Sequence, residues 1–168
     1  MNNVLVVNSI RFIALVLIQV SIFNNLNFLG YINPLPYILF LLALPFNTDK
    51  SLALVWAFLL GLVLDLFGTS GGIHTTACLI ATYLRPLLLR FSFGISFEYH
   101  ALKLSDVPFN QRLTYVLLFI GIHHLLFFSL EIFNLNSILY ILKKTLFTGI
   151  FTLILCIIML FLFSPKSK

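Results

Sequence analysis

Apolar residues arrive in long blocks separated by short polar breaks along this chain. A block of about 20 apolar residues is what a helix needs to cross the hydrocarbon of a bilayer, and shorter ones can serve. The pattern predicts six such helices, over 4–23, 31–46, 51–67, 72–91, 113–133 and 138–163. The second is short and bracketed by Pro34, Pro36 and Pro45. The expected fold is all-α: one domain over 1–168, a polytopic integral membrane protein built as a six-transmembrane-helix bundle. No internal repeat, linker or soluble domain interrupts it.

Composition agrees with the pattern. The 168 residues are 61% hydrophobic and 9% charged, whereas a soluble domain is about 45–50% apolar and about 25% charged. Too few polar residues exist to cover a water-facing surface. The start, MNNVLVVNSI, has neither a basic segment nor a small-residue cleavage site after a short apolar core, so the first helix is expected to be retained.

The formal net charge of +5 is explained by orientation. The connections 24–30, 68–72 and 134–137 carry no Lys or Arg, whereas Lys50, Arg85, Arg90, Lys103, Arg112, Lys166 and Lys168 fall on the other side. The positive-inside bias therefore predicts that both termini are cytoplasmic. Lys143 and Lys144 are exceptions near the outer end of the sixth helix, free to snorkel outward or to pair with Glu131 across the short turn. No basic stripe interleaved with aromatics suggests nucleic acid. The cytoplasmic loop 92–112 is the one sizeable polar segment. Its alternating start, Phe91, Phe93, Ile95, Phe97 and Tyr99, reads as an extended strand or as a strip in the headgroup region; the loop is expected to rest its aromatics at the membrane surface, or to be a docking surface for a cytoplasmic partner.

Rare polar residues inside apolar helices carry what chemistry there is. In GLVLDLFGTSGGIH, Gly61, Asp65 and Gly68 fall on one helix face. Small residues at that spacing let two backbones approach, and packing then drives association without water. A carboxylate there needs donors, and the amides opening the fourth helix are natural candidates, because a helix N-terminus favours negative charge. The glycine-containing turn through Gly71 and Gly72 can bring them close, and His74 is a second candidate partner. Asp65 is thus expected to pin a helical hairpin, to contact another membrane protein, or to bind a ligand or proton.

In the fifth helix His124 and Glu131 are two turns apart on one face, with His123 about 100° away. Bundle-facing hydrogen bonding is the expected role for His124, ahead of metal or proton relay. Arg85 precedes Pro86 and should reach the cytoplasmic interface, an acidic lipid or a partner carboxylate. Gln19 can bond across helices, and Arg11 is either deep and paired or near the inner surface. Cys78 and Cys156 lie inside apolar blocks, giving no disulfide framework or thiolate metal site. Ser70, His74 and Asp65 supply the residue types of a triad, but they share one short turn without an evident oxyanion hole. No enzymatic activity, metal or cofactor is expected.

The stretch AFLLGLVLDLFGTSGGIHTTACLIATYL (57–84), after a Pro-containing second helix and a short charged turn, resembles the MreD family of bacterial rod shape-determining proteins. The matching positions are Gln19, Pro34, Gly61, Asp65 and Gly71. The resemblance implies a non-enzymatic scaffold subunit of the cell-elongation complex in the bacterial cytoplasmic (inner) membrane. Such a subunit binds MreC and helps couple MreB filaments to RodA and penicillin-binding-protein peptidoglycan synthases, with membrane lipids around it and a homo-oligomer left open. The implied fold is similar to the S components of energy-coupling-factor vitamin transporters. On that analogy the rival function is a small-molecule-binding transporter subunit, with a cavity lined by His74, Asp65 or His124. The residues expected to shape a partner surface are Gly61, Asp65, Gly68, Gly71, His74, Arg85, His124 and Glu131.

Overall fold

A computed structural model describes residues 2–26, 32–94, 104 and 107–163. Among them the chain is all-helical, with α1 (Asn2–Ser21), α2 (Ile38–Leu42), α3 (Lys50–Gly68), α4 (Ile73–Phe93), α5 (Phe109–Ile132) and α6 (Ile138–Phe163). Four stretches are long and apolar enough to cross a membrane: Val6–Asn25, Lys50–Gly68, Phe109–Ile132 and Ile138–Phe161. α4 has comparable length at 21 residues but carries His74, Arg85, Pro86 and Arg90.

Local chemistry sets the ends. Asp49 caps α3, its carboxylate accepting from Ser51 N at 2.8 Å and Leu52 N at 3.3 Å. Thr69 closes the same helix in the left-handed region, φ 51°, and Gly71 and Gly72 turn the chain into α4 with φ of 65° and 94°. α4 ends at Phe93, followed by Gly94 at φ 75°.

Helices adjacent in the sequence pack side by side, α3 on α4, α4 on α5 and α5 on α6, while α1 lies against α3. Their outward faces are apolar: Leu66, Phe91 and Leu139 are more than two-thirds exposed. In water such faces would be a large unfavourable surface, whereas lipid tails solvate them.

The expected second helix over 31–46 is corrected. Only Ile38–Leu42, 5 residues, is α-helical. Pro34 and Pro36 lack N–H groups and hold the residues before them extended, and Pro45 blocks continuation. This broken segment is nevertheless the most deeply buried stretch among the described residues. Ile32, Tyr37, Ile38, Phe40, Leu41 and Leu42 have no exposed surface. α2 packs against α1, α3 and α5, so the other helices wrap around it. Irregular backbone at this depth is tolerated only where protein covers it.

The loop 92–112 needs a second correction. Phe91 and Phe93 belong to the last turn of α4, and α5 starts at Phe109, so the alternating strip does not begin as an extended strand. The residues 95–103 and 105–106, including Lys103 and the proposed docking strip, lie outside the described residues, as do Lys166 and Lys168.

Candidate functional site

Gly61 is where α3 and α4 meet most closely. A Cβ built on it would run into Thr75 Cα and stand 2.6 Å from Thr75 N and 2.9 Å from His74 C. Only a residue without a side chain fits. Four residues further on, Asp65 faces the same helix. Its Oδ1 accepts from His74 N at 2.9 Å and Ser70 Oγ at 2.5 Å. Its Oδ2 accepts from Thr75 N at 2.9 Å and Thr75 Oγ1 at 2.5 Å. Two orphan amides at the start of α4 are thereby satisfied and the carboxylate is held by four donors. Gly68 contributes less. A Cβ there would sit 3.6 Å from Ser70 Oγ, an ordinary contact, so its place on the same face is not needed for the close approach.

The broken segment is held by side chains from distant parts of the chain. Gln19 Nε2 donates to Pro34 O at 3.4 Å, and Leu35 N donates to Thr152 Oγ1 at 3.0 Å. At the other end Arg11 Nη1 donates to Ala43 O at 3.4 Å. Arg85 Nη2 donates to Leu44 O at 2.6 Å and Pro45 O at 3.2 Å, while Arg85 Nε donates to Tyr115 OH at 3.1 Å. Every one of these acceptors or donors is a backbone group that a continuous helix would have paired internally, or a side chain fixing one that does so. Gln19 and Arg11 therefore tie α1 to the broken segment, which answers the open question over Arg11: it is half-buried and paired with backbone.

A third cluster sits near the hairpin end. Tyr37 OH is 2.8 Å from His74 Nδ1 and 3.2 Å from His123 Nε2, and Cys78 Sγ is 3.6 Å from the same His123 nitrogen. His124 is bonded on both ring nitrogens, Nδ1 to Ile120 O at 3.0 Å and Nε2 to Thr152 Oγ1 at 3.1 Å. A carbonyl can only accept, so Nδ1 of the neutral ring carries the proton and Nε2 accepts from the Thr152 hydroxyl. That hydroxyl in turn accepts from Leu35 N, which makes a short relay of bonds from α5 through α6 to the broken segment. No group of three or more metal-binding side chains occurs among the described residues.

The expected residues thus divide. Gly61, Asp65, Gly71 and His74 come together at the hairpin, although His74 reaches Asp65 through its backbone amide while its ring turns to Tyr37. Ser70 donates to the carboxylate, and the His74 nitrogen Nδ1 is on Tyr37, so the three residue types of a triad do not form its bonds. Arg85 lies far along α4 from the hairpin and bonds the broken segment. Glu131 does not join His124; it pairs with Lys144, Nζ to Oε2, at 2.7 Å. Sequence reasoning passed over Tyr37 and Thr152, and gave His123 no role of its own. The neighbouring histidines were expected to diverge, yet both are fully buried, because α5 packs on α4 and α6 as well as on α2. A tyrosine and a threonine inside apolar runs were the available signals, since buried hydroxyls seek partners.

Comparison with protein-family models, with curated proteins and with solved structures finds no match to this chain.

Proposed function

We infer that this chain is a membrane scaffold, a non-enzymatic subunit that holds partner helices, and that its partners are those of the MreD family. In this reading six segments cross the bacterial cytoplasmic membrane, the broken segment being the second, and both termini face the cytoplasm. MreC docks on the helical bundle, which helps connect MreB filaments to RodA and the penicillin-binding peptidoglycan synthase.

The observation that carries this reading is the hairpin itself. The family-like positions Gly61, Asp65 and Gly71 lie at its contact, its pin and its turn. The two remaining positions also meet: Gln19 donates to the carbonyl of Pro34. The polar residues that a vitamin-capturing subunit would aim at a ligand are bonded to the protein instead. Asp65 has four donors, His74 has Tyr37, and His124 has partners on both nitrogens. Such a rigid bundle with apolar outer faces suits a partner's transmembrane helix better than a diffusible solute.

The course of the broken segment, irregular backbone followed by one and a half turns of helix, supports the count of six. It runs antiparallel to α1, with Pro34 beside Gln19 and Ala43 beside Arg11. Along α4 it passes from His74, bonded to Tyr37, to Arg85, bonded to Leu44. Those 11 residues of helix measure about 16 Å at 1.5 Å per residue, more than half of the hydrocarbon thickness of about 30 Å.

The test is affinity isolation of the tagged chain from detergent-solubilised membranes of its host, followed by mass spectrometry. Recovery of MreC, lost in Asp65→Leu while that variant still inserts, is the expected result. Isolation without MreC, or a small-molecule ligand that raises thermal stability, would overturn the scaffold reading.

A further inference from the structure

The end of the bundle that carries Lys50 and Arg85 contains a cavity of about 130 Å³, lined in part by Thr48, Lys50, Thr82, Arg85 and Pro86. That is many times the roughly 10–15 Å³ needed for one water. Its chemistry is unbalanced. Arg85 is 3% exposed, and its partners among the described residues are neutral acceptors, the carbonyls of Leu44 and Pro45 and the hydroxyl of Tyr115. Those bonds engage Nε and Nη2 and leave the two protons on Nη1. Among the described residues no carboxylate pairs with it; the ion pair present is Lys144 with Glu131 at the opposite end. A buried guanidinium without an anion is costly, and such charges are ordinarily paired.

The wall of the cavity holds a second unmet group. Thr82 is 1% exposed, and its hydroxyl has no partner. Lys50, the exposed first residue of α3, lines the same cavity and rests its ammonium 3.8 Å above the Tyr83 ring. Two cations and a free hydroxyl donor therefore surround one empty space.

Depth identifies the ligand's surroundings. α3 has 19 residues, about 28 Å at 1.5 Å per residue, close to the thickness of bilayer hydrocarbon. A helix of that length lying across the membrane puts its first residue at the headgroups. Lys50 lines the cavity together with Arg85, so the cavity opens at that level. We propose that this cavity binds a phosphate oxyanion, the headgroup phosphate of an anionic lipid, between the Arg85 guanidinium, the Lys50 ammonium and the Thr82 hydroxyl. Guanidinium suits phosphate because its paired N–H groups match two oxygens, and each charge-assisted bond is stronger than a neutral one. The site is independent of the scaffold reading, since it needs only a membrane.

Thermal unfolding of the purified full chain in non-ionic detergent tests it, with dihexanoyl phosphatidylglycerol, inorganic phosphate and acetate as probes. Arg85 also holds the broken segment, so the informative variants are Thr82→Val and Lys50→Gln, which leave its bonds to Leu44 and Pro45 in place. The lipid should stabilise the unaltered chain saturably, and each variant should raise its apparent Kd about tenfold, the size of one charge-assisted hydrogen bond. Equal stabilisation by inorganic phosphate would support the oxyanion site with a free ion as its source; stabilisation by the lipid alone would assign it to the headgroup. No stabilisation by either probe overturns the proposal. Unchanged Kd in both variants, or acetate acting as well as phosphate, overturns it too.

Discussion

Gly61 and Thr75 stand so close that α3 and α4 touch backbone to backbone, with no space for a methyl group between them. The neighbouring atoms on the Thr75 side are main chain, which cannot rotate out of the way. Gly61→Ala must therefore push the two helices apart, and the movement would also pull the Asp65 carboxylate off the amides of His74 and Thr75. Overpacking of this kind costs about 1–3 kcal/mol, occasionally more, against the less than about 1 kcal/mol that alanine gains over glycine in a helix. The expected outcome is a clear fall in thermal stability in detergent. Gly68→Ala is the control: its Cβ meets only ordinary contacts, so stability should hold or rise slightly.

Asp65 accepts four hydrogen bonds from groups on three residues. Asp65→Leu removes all of them and leaves two amides at the start of α4 without acceptors. Unsatisfied buried donors cost about 1–3 kcal/mol each, so the variant should insert but lose several kcal/mol of stability. Asp65→Asn keeps one acceptor oxygen and should fall between. Thermal unfolding of all three chains in one detergent orders them, and equal stability of Asp65→Leu would show that the hairpin does not depend on its acid.

The hairpin was readable because everything it needs is local. A glycine, an acid one turn later and a small-residue turn lie within 15 residues, and the donors are the amides that any α4 would expose at its start. The broken segment was not readable, because its partners are remote. Leu35 bonds Thr152, 117 residues away, and Leu44 bonds Arg85, 41 away. Periodicity cannot distinguish a short buried helix from an apolar stretch whose backbone is capped by side chains from elsewhere. The prolines signalled a break, but only the positions of Gln19, Arg11, Arg85 and Thr152 in space allow that break to be buried. Arg85 likewise looked like an interfacial charge, and its carbonyl partners could not be guessed from its neighbours.

Tyr115 fixes the Arg85 guanidinium by accepting from Nε at 3.1 Å. Tyr115→Phe deletes that acceptor while keeping the ring that packs on Phe46, Phe93 and Phe119. A hydrogen bond to a charged group contributes about 1.5–3 kcal/mol, and the loss should appear as a lower unfolding temperature. Arg85→Met should cost more than Tyr115→Phe, since it also strands the carbonyls of Leu44 and Pro45. Limited proteolysis at the 43–49 turn would report the loosened segment directly.

Glu131 and Lys144 form a close pair at 2.7 Å, but the glutamate is 39% exposed. Exposed pairs typically contribute about 0–1 kcal/mol. Glu131→Gln should therefore shift stability by less than about 1 kcal/mol, and the shift should shrink as salt rises. A larger loss would mean that the pair closes the turn between α5 and α6 in a way its geometry does not indicate.

Thr148 and Thr152 are one turn apart on α6, both with no exposed surface, yet they face opposite demands. Thr152 Oγ1 accepts from Leu35 N and meets His124 Nε2. Thr148 Oγ1 is buried without a partner. Valine replaces threonine with nearly the same shape, so the two substitutions differ only in the hydroxyl each removes. Thr152→Val leaves an amide of the broken segment and a histidine nitrogen unpaired in the core, a loss of about 2–6 kcal/mol from two unsatisfied groups. Thr148→Val removes a hydroxyl that was desolvated for nothing, and should be neutral or stabilising. Unfolding of the two variants side by side measures what the relay from His124 to Leu35 is worth, because helix propensity and packing are matched. If both behave alike, the broken segment does not draw its stability from α6, and the bond to Leu35 is incidental to the fold.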